Sequence, residues 1–464
     1  MKKITLIQDE NLSFRISQQL LPQEHQVLDL YFSFPEEMGI NESTLSEENY
    51  FFSSIKSHSA YFSENLHLPL VRSRFISQQK GEQRDYRSNL NLFSYQLRIA
   101  LDTDINQINK IEDVDAYYIG ALEVAEQTQS LLKKLRRYTP PDQKLSSYFE
   151  NVDNFLSWHV EQSFLDLLAK SPKSSEQSEA RERLFELCRQ ENQYRVKNQY
   201  NSQLTLDDPN RITNKMRLLQ RLSEYGVVFK KQTINLNTHL KRLVRGSITA
   251  VIMAFVMSIV LNARSVFTEV TILLIAILGL IYGVREIFKD DLTRIIWRKI
   301  QQGRPKWQHL FINSLTKTKI SSQIIWLEYI KPQKLPPKVN DLFQERRQQN
   351  KQAAQLLHFR SSTKVIAKKF MPGYSEIRNH ILFNLTPFIR YLKKGEGRLY
   401  SLEGNKVSNQ AVERRYQINL VLVQSNNLNH EYLRRFKITI NRSKIVNIEP
   451  MKEESNYSSE EDTN

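Results

Sequence analysis

The sequence predicts a membrane α+β protein, in which a two-helix transmembrane hairpin joins a cytoplasmic helical region to a small C-terminal antiparallel β domain. Three observations carry this prediction: adjacent apolar runs at 246–263 and 266–284, helical spacing of apolar residues through much of 89–245, and alternation of apolar and polar residues near the end of the chain.

The first apolar run contains no charged residue, and the second contains only Glu269, near its start. At about 1.5 Å per residue, each run is close to the roughly 30 Å of a hydrocarbon core. A core helix of a water-soluble protein keeps a polar face, whereas both runs are apolar all round. Their short connection makes the pair antiparallel. Small residues recur every fourth position at Gly246, Ala250, Ala254 and Ser258, and Gly279 and Gly283 repeat the spacing. Because small residues permit close backbone approach, this stripe is expected to pack one helix on the other or to join two protomers. No lysine, histidine or aspartate interrupts either run, so a transport path is not expected.

The flanks set the expected orientation. Lys241, Arg242 and Arg245 precede the first run, and Arg285, Lys289, Arg294, Arg298 and Lys299 follow the second, with Trp297 among them. The tip offers only Arg264 beside Glu269. Lysine and arginine resist translocation, so both chain ends are expected in the cytoplasm of a bacterium, beneath its inner membrane. The stretch 285–300 gathers Ile287, Phe288, Leu292 and Ile296 on one helical side. It could lie among anionic headgroups or pack on the rest of the chain.

The remaining segments divide by pattern. A mixed β/turn region is expected over 1–88, followed by the helical region 89–245, in which Asp208 is a candidate N-cap ahead of Pro209. After the hairpin come a juxtamembrane helical region at 285–330 and a Pro-rich linker at 331–338. A β-containing domain is expected over 339–450, after a basic, Gln-rich helical start at 341–359. Its clearest signal is the alternation from Phe436 to Glu449 around an Asn-containing turn. The acidic, polar tail 451–464 is expected to be disordered.

Chemistry-bearing patterns are scarce. The chain holds one cysteine, Cys188, and nine histidines, none spaced to place two on one helix face as metal ligands. Phosphate-binding, dinucleotide-binding and nucleophile-elbow motifs are missing, so no catalytic residue, metal or cofactor is assigned. His58 sits among serines in 53–62, without a recognisable third partner for a nucleophile and its base. The two lysines at the start give way to Asp9 and Glu10 before any apolar run, so no cleaved export signal is read. The formal charge of +16 admits nucleic acid, anionic lipid or a solvated basic exterior. The pairs Arg414-Arg415 and Arg434-Arg435 lie beside Tyr416 and Phe436 as in a nucleic-acid surface, but solvated sheet edges explain them more simply.

The junction 281–291, directly after the apolar pair, and the terminal hairpin 436–449 resemble the corresponding parts of uncharacterised bacterial inner-membrane proteins. The resemblance implies an inner-membrane setting and carries no activity. The expected function is a non-enzymatic scaffold or anchor that presents cytoplasmic modules to protein partners or to a second copy, against an anionic bilayer. A membrane-associated enzyme built from dispersed residues and a nucleic-acid tether are the alternatives.

Overall fold

The computed structural model describes residues 4–62, 83–172, 177–266, 272–344, 354–370, 374–390, 392, 396–403, 406–427 and 431–454. Alternating burial along the strands builds two facing antiparallel sheets. In β3 (His25–Pro35), Leu28, Leu30, Phe32 and Phe34 all turn inward, the period of two that a half-buried strand requires. This strand pairs with β8 (Ala354–Val365) on one side and β12 (Tyr416–Asn426) on the other.

The larger sheet continues from β12 through β13 (Glu431–Ile440) to β14 (Ile445–Glu454). From β8 it continues through β7 (Lys319–Ile330) and β6 (Trp307–Ile312) to β5 (Lys230–Asn235). The smaller sheet orders β1 (Thr5–Glu10), β2 (Ser13–Leu20), β9 (Glu376–Asn384) and β4 (Ile55–Phe62). Phe14 and Phe383 of the smaller sheet meet Phe32 and Phe359 of the larger, with Phe359 and Phe383 edge-on at 5.0 Å. Such aromatic contacts between inner faces define a sandwich core. Along one side the sheets join, because the Phe229 N–H donates to the Ser59 carbonyl at 3.0 Å just before β5 begins. A separate ribbon of β10 (Glu396–Glu403) and β11 (Lys406–Glu413) pairs only with itself.

Helical spacing in 89–245 is realised as α2 (Gln83–Ile108), α3 (Val114–Arg136), α4 (Gln143–Lys170), α5 (Ser178–Lys197) and α7 (Pro209–Ser223). The short helices α1 (Glu47–Ser54) and α6 (Gln203–Leu206) precede α2 and α7 respectively. Asp113, Asp142 and Asp208 cap α3, α4 and α7 by accepting backbone N–H groups left open by the first turn. Leu97, Leu101, Leu132, Leu156 and Leu184 lie in one continuous core. Tyr95 of α2 then docks the bundle on the sandwich, within a cluster containing Tyr61, Phe229 and Phe311.

Several expected boundaries dissolve in this arrangement. The N-terminal region and the C-terminal β domain are one packing unit, since strands from both halves alternate within each sheet. The segment 285–330 is helical only to 301 and then supplies β6 and β7. The Pro-rich stretch 331–338 is exposed apart from Leu335, which is buried. It leads into α10 (Pro337–Gln344), whose Val339 and Phe343 are buried against Tyr31, Leu356 and Val421. Of the Gln-rich helix expected at 341–359, residues 345–353 lie outside the described set and 354–359 are strand. The helix that starts after Asp208 ends at Ser223, and the chain turns at Gly226, which has a φ of +90° and where a Cβ would lie 2.3 Å from Leu315. The short α11 (Thr386–Ile389) begins where Thr386-Pro387 signals a helix start. Of the tail, 452–454 extend β14, and 455–464 lie outside the described residues.

Between β5 and β6 the chain leaves the sandwich as α8 (Thr238–Val266) and returns as α9 (Ile272–Gln301). The two flanking strands are hydrogen-bonded neighbours, so this helix pair is an insertion into a β-hairpin. Among the described residues one helical stretch, Thr238–Asn262, is long and apolar enough to cross a membrane, with a mean hydropathy of 2.1 over its best window. Only 6% of that window is buried.

Candidate functional site: the cleft at the root of the helix pair

The helix pair is fixed to the sandwich by its first and last residues. The Leu236 N–H donates to the Lys306 carbonyl at 3.1 Å, and the Asn237 side-chain amide donates to the Pro305 carbonyl at 2.9 Å. After α9, Gly303 takes the left-handed conformation at φ +72°, which suits glycine beyond a helix end, and its N–H donates to Glu328 at 3.2 Å. Between this root and the loop leading into α1 lies a cleft of about 580 Å³.

Cations dominate one wall. Lys241, Arg242 and Arg245 come from the first turns of α8 and Arg298 from the last turn of α9, while Lys306 closes the base. Three carboxylates face them: Glu42, Glu47 and Glu48. Glu42 sits 3.4 Å from Arg298, and Glu47 pairs with Lys306 while also accepting the Tyr329 N–H at 2.9 Å. Lys306 is 7% exposed, and its ammonium also donates to the Leu327 carbonyl at 2.7 Å, so this ion pair is a closed part of the structure. Arg242 and Arg245 have no carboxylate partner among the described residues. Lys241 lies over the ring of Trp297 at 5.9 Å, and Trp307 stacks on Phe51 at 3.8 Å behind the cleft.

The structure therefore brings Lys241, Arg242, Arg245, Trp297 and Arg298 to one site. Arg285, Lys289, Arg294 and Lys299 lie elsewhere on α9. Arg285 donates to the Met253 sulfur at 3.1 Å, Lys289 pairs with Glu286 at 2.9 Å, and Arg294 stands 4.0 Å from Asp291. The small-residue stripe is not the seam of the pair. Gly246, Ala250, Ala254, Ser258, Gly279 and Gly283 are exposed, and a Cβ at any of the three glycines would meet nothing within 4 Å. Ile248 and Val256, on the side of α8 away from that stripe, are buried. Glu42, Glu47, Glu48 and Trp307 were not legible as site residues, since they lie far in sequence from the cations they face.

Two further clusters test for catalysis. Ser17 Oγ and His380 Nδ1 are 2.8 Å apart, with the His58 ring 6.4 Å from that of His380, so the histidine singled out among serines does join a hydroxyl-imidazole group. Burial, with Arg15 and Arg378 nearby, pushes His380 down to about 3. A general base needs a pKa near its working pH, so this imidazole is a weak proton acceptor for Ser17. On β8, His358 donates to Asp29 at 2.7 Å and stacks on Tyr31 at 4.4 Å, with Glu328 at 3.9 Å. Burial pulls the His358 pKa down, but Asp29 and Glu328 more than offset it and raise it. That geometry describes a cation held between two carboxylates, without a nucleophile.

The basic pairs, one between β11 and β12 and the other on β13, are largely occupied within the fold. Arg414 reaches Glu37 at 2.8 Å, Arg434 lies over Phe436 at 5.2 Å, and the buried Arg435 donates to the Leu342 carbonyl. Cys188 is buried, and burial pushes its thiol up to about 12, which makes it unreactive. Among the described residues no group of three His, Cys, Asp or Glu side chains could hold a metal ion.

The bundle carries the densest charge network. Arg136 forks onto Glu191 at 2.7 and 3.1 Å and reaches Asp153 at 3.2 Å, with its guanidinium 3.6 Å from the Tyr194 ring centre. Tyr200 donates to Asp153 at 2.9 Å, Ser157 donates to Glu191 at 2.7 Å, and Arg195 pairs with Glu161. Burial alone would lower the Arg136 pKa, but the hydrogen bonds it donates to Glu191 and the charges of Asp153 and Glu191 raise it. Every charge here has its partner inside the bundle, which makes the network part of the core.

Comparison of the chain with family models, with curated proteins and with solved structures gives no match.

Proposed function

We propose that the chain is a membrane-anchored scaffold of the bacterial inner membrane, in which α8 and the apolar part of α9 cross the bilayer together. The sandwich and bundle then sit on the cytoplasmic side and present binding surfaces to protein partners or to a second copy. The observation that carries this reading is the bare apolar surface of α8. A soluble core helix would have most of its surface covered by protein, whereas Val251, Phe255, Met257 and Leu261 each leave more than half of theirs exposed. On α9, Ile275, Leu280, Ile287 and Phe288 continue the same exposed surface. The cations at the root support the orientation, since lysine and arginine collect on the untranslocated side.

Extraction and labelling test this reading. In cells, the full chain is expected to stay with membranes through alkaline carbonate. With Cys188 replaced by Ser, a Phe52→Cys variant is expected to react with a membrane-impermeant thiol reagent only after the membrane is opened, because Phe52 is exposed on α1 beside the root. Release by carbonate, or labelling in intact cells, would overturn the anchor or its orientation respectively.

A further inference from the structure

We infer that the root cleft binds an anionic phospholipid whose headgroup bears hydroxyls, of the phosphoglycerol kind, with the phosphate on the α8 cations and the acyl chains along the exposed helix pair. The inference rests on the reading of that pair as membrane-spanning.

Charge selects the ligand first. The cleft gathers five cations and three carboxylates, and two of the carboxylates are already engaged by Arg298 and Lys306. That leaves Lys241, Arg242 and Arg245 facing the opening. Their spacing of three and four residues puts them on one face of α8, where two planar guanidinium forks and an ammonium converge. Arginine matches phosphate oxygens with paired N–H donors, which a surface of scattered lysines does not. The first turn of α8 opens onto the same cleft at Thr238, so the positive end of the helix dipole adds to the field.

Position selects a lipid over a free anion. The three cations lie directly before the uncharged run that begins at Gly246, which is the depth at which phosphates lie if that run spans the hydrocarbon. Trp297 stands across the cleft from Lys241, where an indole with one wet edge is favoured at the headgroup level. Leu243, between Arg242 and Arg245 on α8, and Ile295, three residues before Arg298 on α9, are exposed and offer acyl chains an apolar track out of the cleft.

The opposite wall selects the headgroup. Glu48 and Ser46, from the N-terminal end of α1, line it with hydrogen-bond acceptors. A bare phosphate would leave Glu48 facing it with like charge. A headgroup that places hydroxyl donors beyond its phosphate satisfies both walls, and about 580 Å³ accommodates it.

The test uses the full chain in lipid nanodiscs of phosphatidylcholine containing phosphatidylglycerol or phosphatidic acid, with retained lipid counted by native mass spectrometry. The wild-type chain is expected to retain phosphatidylglycerol about tenfold over phosphatidylcholine, the ratio that one net charge-assisted hydrogen bond supplies. Arg242→Gln with Arg245→Gln should abolish that preference while circular dichroism stays unchanged. Glu48→Gln should narrow the gap between phosphatidylglycerol and phosphatidic acid. Equal retention of all lipids, or an undiminished preference in the double variant, overturns the site. Saturable binding of soluble glycerophosphate with no lipid preference overturns the lipid as its source. A chain that never enters the nanodisc overturns the spanning reading itself, whereas one that enters without headgroup preference overturns only this inference.

Discussion

The bundle and the root cleft draw on the same side chains and put them to opposite uses. In the bundle, Arg136 and Arg195 are enclosed by Asp153, Glu191, Glu161, Ser157 and Tyr200, so donors and acceptors are consumed within the fold. In the cleft, Lys306 and Glu47 repeat that closed arrangement at the base, and Arg242 and Arg245 depart from it at the mouth. Buried ions must be matched by the protein, since water cannot reach them. Exposed ions can stay unmatched until something else arrives. The location of an arginine therefore says more about its purpose than its abundance does, which is why a formal charge of +16 alone discriminates so little.

The sharpest way to break this contrast is to remove Arg136. An Arg136→Met variant leaves Asp153 and Glu191 buried without their cation, and the expected loss is about 3–5 kcal/mol in chemical denaturation. A loss below about 1 kcal/mol would mean that water reaches the network and that it is not a core element.

A smaller effect is expected at His358, whose charge can be switched where that of arginine cannot. Its raised pKa means that the folded state holds the proton more tightly than the unfolded chain. Its contribution to stability is therefore complete below the ordinary histidine value near 6.5 and fades as pH rises through the higher folded value. His358→Gln should flatten the stability profile in that window, measured against pH by urea unfolding. A profile unchanged by the substitution would show that Asp29 and Glu328 hold no proton on the ring.

The smallest effect is expected at the cleft mouth. Arg242→Ala alone should shift unfolding by less than about 0.5 kcal/mol, because no described carboxylate depends on it. A loss comparable to that at Arg136 would place Arg242 in the closed class and remove the contrast.

Local patterns were well registered in the sequence, and long-range ones were not. The three- and four-residue spacing marked as helical the region that holds α3, α4 and α5, since burial of one helical face is a local property. The terminal hairpin was legible for the same reason: Lys437 pairs with Glu449 around a four-residue turn. The eight-stranded sheet was not, because alternation states which face of a strand is buried but not its neighbour. Ser33 pairs with Asn419, and nothing local in either segment names the other. β5, β6 and β7 were hidden by basic, apolar composition close to the apolar runs, which favoured a helical reading. Of the site, the cations on α8 and α9 were visible as markers of orientation. The α1 side of the cleft was invisible, since Glu42 and Arg298 come together only through the order of the sheet.

Placing the helix pair within a β-hairpin has a practical corollary. Asn235 and Trp307 are already paired across the ladder, so the exit and the return of the insertion lie about one strand spacing apart. Excision of the intervening residues and closure with a tight Asn-Gly turn would leave every remaining strand crossing as it is. The same junction would accept a different insertion without rebuilding the rest.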